Sequence, residues 1–346
     1  MSKVFITGAT GLVGSYIAKH FLEKSYFVKA LKREKSDTSA LRAYTNQIQW
    51  IEGDIFDVEL LKTSIENEDI VIHSAALVSF RAKDRKAMMK TNVEGTANIV
   101  NVCLDKKIKK FIHISSIASL GRKKGIVEID ETSKWEDSDY NTNYAESKYL
   151  SELEVWRAIS EGLSAVILNP SLVFGVGDWN RTSLQIFKYV ASGKPFYPVG
   201  SCNYVDVRDI AEAAWLFAEN NIVGERFILN AGNIPFKDLF AQIARLMGKK
   251  PPHIAVTPFL AEIAWQLDAL KAFFTFSQPT ITKETARNSY RHFIYKNDKI
   301  KKFLPQFSFR PLNDTLEWVV KNNGQWTMDN EQWTMNNGQW TMNNEQ

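Results

Sequence analysis

The chain has 346 residues, 45% of them hydrophobic and 24% charged, which fits a globular protein with a sizeable core in one large or two moderate domains. A net charge of +4 is mild, and lysines gathered in short runs such as Lys106, Lys107, Lys109 and Lys110 read as a solvated surface, so no nucleic-acid partner is expected. Cys103 and Cys202 form no metal or redox spacing, and Glu262, Asp268 and Lys271 interrupt the apolar stretch from Phe259 to Phe276, so neither a metal centre nor a membrane span is expected. With a strand at the very start in place of a signal peptide, the expected location is the cytoplasm.

Val4-Phe5-Ile6 reads as the first strand, and Tyr16-Ile17-Ala18 carries the periodicity of a helix running to about Glu23. Between them lies Thr7-Gly8-Ala9-Thr10-Gly11-Leu12-Val13-Gly14. Gly8 can take backbone angles that a side chain forbids. Gly11 leaves room for close approach to the backbone, and Gly14 lets helix and strand pack together. The helix start directs unpaired N–H groups and partial positive charge at that space, so Thr10, Gly11, Leu12 and Val13 are placed to hold a diphosphate.

Apolar runs follow at Phe27–Leu31, Ile48–Ile51, Ile70–His73, Phe111–Ser115 and Ala165–Leu168, with helical patterns over Met88–Cys103 and Tyr144–Ser160. Such repeated β-α units predict an α/β fold, a doubly wound parallel sheet covered on both faces, with its ligand beyond the C-terminal strand ends. Past residue 170 the regularity fades. Arg181–Ser192, Asp209–Asn220 and Phe236–Met247 read as helices and Arg226–Leu229 as a strand. Pro251-Pro252 breaks the chain, and residues 253–320 are mostly helical and aromatic-rich, ending with Leu312–Val320. The expected division is a dinucleotide-binding domain over residues 1–170 with later segments interleaved, a smaller substrate lobe over 171–322, and a tail over 323–346. In the tail Gln-Trp-Thr-Met recurs from Gln325, Gln332 and Gln339. One apolar pair per repeat is too little for a core or a coiled-coil seam, so a disordered or weakly extended appendage is expected.

Tyr144 and Lys148, four residues apart on a helix, share a face about 6 Å apart along the axis. A tyrosine is a poor proton-transfer group at neutral pH until its anion is stabilised, and a nearby ammonium does this. Ser115-Ser116 end the strand Phe111–Ile114, on the side where the glycine turn lies, and a serine there can hydrogen-bond a carbonyl or alkoxide. Serine, tyrosine and lysine together make a carbonyl-reduction site beside a dinucleotide. At the end of the second strand, Lys32 holds the position where an NAD site places an acid, and Arg33 follows. A guanidinium can hold a 2′-phosphate with two hydrogen bonds, which favours NADP. Glu34 and Asp37 keep NAD open.

As a set, the glycine turn, Ser116 and Tyr144-x-x-x-Lys148 resemble the extended short-chain dehydrogenase/reductases. So do Gly53-Asp54-Ile55, His73-Ser74-Ala75-Ala76, Thr91-Asn92-Val93-Glu94-Gly95-Thr96, Asn169-Pro170-Ser171 and Tyr204-Val205-Asp206-Val207-Arg208-Asp209. The resemblance spans roughly residues 1–320, and Val78-Ser79-Phe80 points to the branch holding dihydroflavonol reductases and 3β-hydroxysteroid dehydrogenases. It implies a Rossmann-type fold with a mostly helical substrate lobe, a small-molecule substrate, and catalysis by Ser116, Tyr144 and Lys148; a homodimer is left open. It also implies that Tyr144 and Lys148 meet the cofactor, that Asp54 bonds the adenine while Ile55 packs on it, and that Ala75 and Ala76 let the backbone approach. Asn92 would brace the strands near the ribose, and Asn169, Pro170 and Ser171 would flank the nicotinamide. His73 reads as core and Cys202 as a small apolar residue. The expected activity is NADP-dependent reduction of a ketone or aldehyde of a small hydrophobic substrate; Phe80, Trp179, Phe196, Tyr197 and the aromatics of 259–276 hint at such a ligand, and core packing explains most of them equally well. The rivals are a nucleotide-sugar epimerase or dehydratase with bound NAD and a non-catalytic dinucleotide sensor.

Overall fold

In the computed structural model, which describes residues 2–180, 182–274, 282–330, 333–336 and 339–342, Lys3–Thr7 (β1) lies near the middle of a parallel sheet. Its side chains alternate between two cores. Val4 and Ile6 join one with Ile17, Phe21, Ile210 and Phe217, and Phe5 joins the other with Val71, Ile99, Phe111 and Val155. Both faces are therefore covered, as the unbroken apolar strand sequences require.

The sheet contains β1, β2 (Phe27–Lys32), β3 (Ile48–Glu52), β4 (Ile70–His73), β5 (Lys110–Ile114), β6 (Ala165–Pro170) and β7 (Glu225–Leu229). Their spatial order is β3-β2-β1-β4-β5-β6-β7, all parallel. The order reverses between β1 and β4, so a crevice opens beyond their C-terminal ends. Helices α1 (Leu12–Glu23), α2 (Val58–Ser64), α3 (Arg85–Met89), α4 (Gly95–Lys106) and α5 (Asn143–Ser160) make the crossovers. The single helix expected over Met88–Cys103 is instead α3 and α4 joined by a π-helical turn, Lys90–Glu94, that contains Asn92. Such turns recur at functional sites because they re-aim a side chain.

The second half interleaves with the first. Helix α6 (Gln185–Ala191) follows a 3₁₀ turn, Thr182–Leu184, and Arg181 lies outside the described residues. Helix α7 (Val207–Ala218) packs on α1, and α8 (Phe236–Leu246) buries Leu239, Phe240 and Ile243 with Phe174, Phe187, Leu316 and Val319 in a separate core. Short strands not visible in the sequence pattern, Leu172–Phe174, Ser201–Asp206 and Gly232–Pro235, form a three-stranded sheet beside it. Helices α9 (Pro258–Phe274), α10 (Lys283–Asn288), α11 (Asp298–Phe303) and α12 (Leu312–Asn330) complete this region, with two-residue strands Glu128–Ile129 and Ile294–Tyr295 pairing across it.

The tail departs from its expectation. Helix α12 does not stop at Val320; no proline or cap ends it there, and the Asn323 side chain accepts from the Gly177 backbone at 3.2 Å. Trp333–Asn336 and Gln339–Met342 are extended and pair as antiparallel strands. The alternating Trp-Thr-Met residues favour strands. The remaining tail residues, 331–332, 337–338 and 343–346, lie outside the described residues, as do 275–281, which include Phe276.

Candidate active site

The glycine turn is shaped by contacts that exclude side chains. Gly8 sits at φ +74°, and a Cβ there would lie 2.5 Å from the Ala75 backbone N; at Gly14 it would lie 2.2 Å from the Gly8 carbonyl O. Gly11 differs: a Cβ would meet only the Gly8 carbonyl O, at 3.3 Å, and otherwise open space. Gly11 is also the cap residue of α1, with no side chain bonding the helix start, so the N–H groups of Leu12 and Val13 are left for a ligand beside half-buried Thr10. The Thr7 hydroxyl accepts from the Ala75 N–H at 3.3 Å, tying the turn after β1 to the turn after β4.

Ala76 is exposed, and Ala75 half-buried, along the crevice wall. Asp54 accepts from the Phe56 N–H at 3.2 Å, and it is Asp57 that caps α2. Ile55 is buried under Gly95, where a Cβ would come within 2.3 Å of its Cδ1. Asn92 braces the wall from the π-helical turn: its Oδ1 accepts from Leu77 N–H at 2.7 Å, and its Nδ2 donates to the Leu77 carbonyl and the Ser147 hydroxyl. It thus links the loop after β4 to α5. At the far edge Lys32 pairs with Glu52 at 2.7 Å, one strand over, whereas Arg33 is exposed.

Thr142 caps α5 by accepting from the Ala145 N–H at 3.0 Å, which fixes where Tyr144 and Lys148 fall on its first turns. Ser116 favours the ionised form of the Tyr144 phenol, and Phe80 meets its ring edge-on at 6.2 Å. Burial pushes the phenol up to about 12, partly offset by Ser116. The expected lowering by Lys148 is not present: its ammonium donates to the Ile114 carbonyl at 3.0 Å, and its own pKa falls to about 8 because it is buried. Ser116, Tyr144 and Lys148 nonetheless converge at one strand edge. Beside them the hydroxyls of Ser115 and Ser171 and the Asn169 Oδ1 are buried without a partner, next to Pro170 at the end of β6. Unpaired buried polar atoms at the strand ends, together with an uncapped helix start, fit a dinucleotide lying across the crevice.

His73, expected as core, is buried and held near 3 by loss of solvent; it bonds Thr7 at 2.7 Å and Thr96 at 3.0 Å. Cys202 is likewise buried. Trp179 stacks on Phe187 within the smaller core, while Phe196 is exposed. Glu152 escaped the sequence reading. This buried carboxylate, one turn past Lys148, accepts from Ser119 Oγ and Asn169 Nδ2, both at 2.5 Å. Those two groups also donate to the Ser116 carbonyl, at 2.7 and 3.0 Å. Its one signal in sequence is the four-residue step from Lys148.

Residues 4–232 match the NAD dependent epimerase/dehydratase family. The chain belongs to that family. As an extended short-chain dehydrogenase/reductase it is an NAD(P)-dependent oxidoreductase on the dihydroflavonol reductase-like branch. A Synechocystis protein provisionally named dihydroflavonol 4-reductase is 30% identical, covering 92% of this chain and 95% of its own. Cinnamoyl-CoA reductase 1 of Arabidopsis thaliana is 28% identical over 86% of this chain and 83% of its own. The crystal structure of gox2253 superposes with a TM-score of 0.79 at 32% identity, covering 94% and 99% of the two chains.

Burying an ammonium costs stability that replacing Lys148 should return. The folded-state pKa of about 8 lies below the unfolded value of 10.5, so the cost is fully present below pH 8 and vanishes by about pH 10.5. Lys148→Met should stabilise the ligand-free protein at pH 7 by about 2 kcal/mol, after allowing for the lost hydrogen bond to Ile114. Urea unfolding across pH 7–10.5 should show the gain shrinking with rising pH; a destabilised variant at pH 7 would contradict it.

Proposed function

We propose that this oxidoreductase uses NADPH to reduce a ketone or aldehyde carbonyl on a small hydrophobic molecule. The observation that carries this is the meeting of Ser116, Tyr144 and Lys148 with the unpartnered Ser115, Asn169 and Ser171 atoms at strand ends that also carry the uncapped glycine turn. Ser116 holds the substrate oxygen, and Tyr144 gives its proton to that oxygen as negative charge develops. A phenol raised to about 12 keeps its proton at neutral pH, which suits a donor in the reducing direction. Lys148 serves the ribose hydroxyls, Thr10 to Val13 the diphosphate, Asp54 and Ile55 the adenine, and Asn169 to Ser171 the nicotinamide. The cofactor supplies the hydride, and the chain orients it.

Three features support the finer points. Lys32 is engaged by Glu52, so Arg33 is the cation that selects a 2′-phosphate. Leu77 and Val78 are exposed beside the crevice and Phe80 touches Tyr144, giving the entrance an apolar lip. One relative, 26% identical over 66% of this chain, is a ketoreductase of Stigmatella aurantiaca whose printed name carries a farnesylated 3-oxo quinoline-oxide.

NADPH should bind at least about tenfold more tightly than NADH, and Arg33→Ala should remove most of that difference in a calorimetric titration. Equal affinities in the parent protein would overturn the NADP assignment. For the chemistry, Tyr144→Phe keeps the ring and removes the hydroxyl. Turnover of the best carbonyl substrate should fall by about 10²–10⁴ with NADPH affinity nearly unchanged. A variant turning over at the parent rate would remove Tyr144 from the mechanism.

A further inference from the structure

Helix α9 faces the wrong way for a helix surrounded by water. Its two acids are engaged: Glu262 accepts from Arg287 Nε at 2.8 Å, Trp265 Nε1 at 3.0 Å and the Tyr290 hydroxyl, and Asp268 is half-buried and engaged. Its exposed side carries Phe259, 73% exposed, Leu267, 61%, and Leu270, 54%, with Leu260 and Ile263 between them. The i, i+4, i+8, i+11 spacing from Phe259 to Leu270 makes one continuous apolar stripe. A surface helix normally shows the opposite arrangement, so this stripe calls for a covering.

The surroundings of the stripe say what kind. Upstream of α9, exposed Ile254 pairs in register with exposed Phe196, extending the apolar surface. Lysines rim it. Lys194 sits 5.5 Å over the Tyr189 ring, whose hydroxyl donates to the Phe196 carbonyl, and Lys237 sits 6.0 Å from the ring of Tyr197 beside Phe196. Lys249 and Lys250 are exposed just before Ile254, and between residues 237 and 257 Asp238 is the sole acid. An apolar strip edged with lysines matches a bilayer interface, where acyl chains meet anionic headgroups. A second copy of this chain would bring the same lysine rims together, which opposes self-association through this face.

We propose that α9 and the adjoining Phe196–Ile254 edge dock onto the surface of an anionic lipid bilayer. Helix α9 lies in the interface without crossing it, and no helix among the described residues is long and apolar enough to cross. Helix α9 is linked to the candidate active site through α10. Helix α9 holds α10 through Glu262 and Arg287, and Glu284 of α10 accepts from the Asn143 side chain at 2.8 Å, one residue from Tyr144. Drawing a bilayer-dissolved substrate to that site rests on the reductase reading; docking does not.

The test is flotation of the full chain with vesicles of phosphatidylcholine alone or mixed with phosphatidylglycerol, and with sedimentation velocity run alongside. The protein should float with the mixed vesicles about tenfold more than with the neutral ones, and added salt should weaken this. Phe259→Ser with Leu267→Ser should reduce binding by about tenfold or more, and Leu267→Ser alone by less, while far-ultraviolet circular dichroism stays unchanged. Lys249→Ser and Lys250→Ser should each weaken it by about fivefold. No binding to either vesicle, binding indifferent to the Phe259 and Leu267 changes, or a dimer that those changes dissociate would each overturn the proposal. Substrate turnover enters none of these readouts, so failure of docking and failure of the reductase reading are separable.

Discussion

Helix α5 turns polar groups toward the middle of a parallel sheet, and the local structure follows from satisfying them. Along its buried side stand Ser147, Lys148, Ser151 and Glu152. Each is costly there unless bonded. Ser147 takes the Asn92 amide, Lys148 the Ile114 carbonyl, Ser151 the Thr96 hydroxyl and His113 Nε2, and Glu152 the Ser119 hydroxyl and Asn169 amide. The partners come from β5, β6, α4, the π-helical turn before it and the 3₁₀ turn Ile117–Leu120, so α5 cannot shift without breaking bonds to five segments. That rigidity is what holds Tyr144 against Ser116.

The same network sets the electrostatics. His73 and His113 are buried with their rings stacked 5.4 Å apart, and both are held neutral by loss of solvent and by the Lys148 ammonium. Glu152 acts the other way, favouring the charged form of Lys148 against desolvation. The lysine donates to the Ile114 carbonyl, and it is Ser116 that offsets the burial of the Tyr144 phenol.

Much of this was legible in sequence where the signal is local. The glycine turn is read directly, because Gly8 and Gly14 are required by contacts of 2.5 and 2.2 Å that no side chain survives. Strand ends are equally plain, since both faces of the sheet are apolar. Glu152 was not legible, because an acid within a helix ordinarily reads as solvated and its partners Ser119 and Asn169 are distant in the chain. Nor was the pairing of Lys32 with Glu52, which depends on the β2–β3 register. Helix α12 running past Val320 shows the opposite failure: repetition in the tail suggested a boundary that the backbone does not observe.

What separates a reductase from an epimerase on this fold is the fate of the hydride, since both use the same three side chains. The decisive measurement is a single turnover with NADPH carrying deuterium at nicotinamide C4, read by mass spectrometry and NMR of the product. The account predicts stoichiometric oxidation of the nucleotide, deuterium on the new carbinol carbon, and a solvent-derived proton on its oxygen. A substrate whose stereocentre inverts with no net consumption of nucleotide would contradict it.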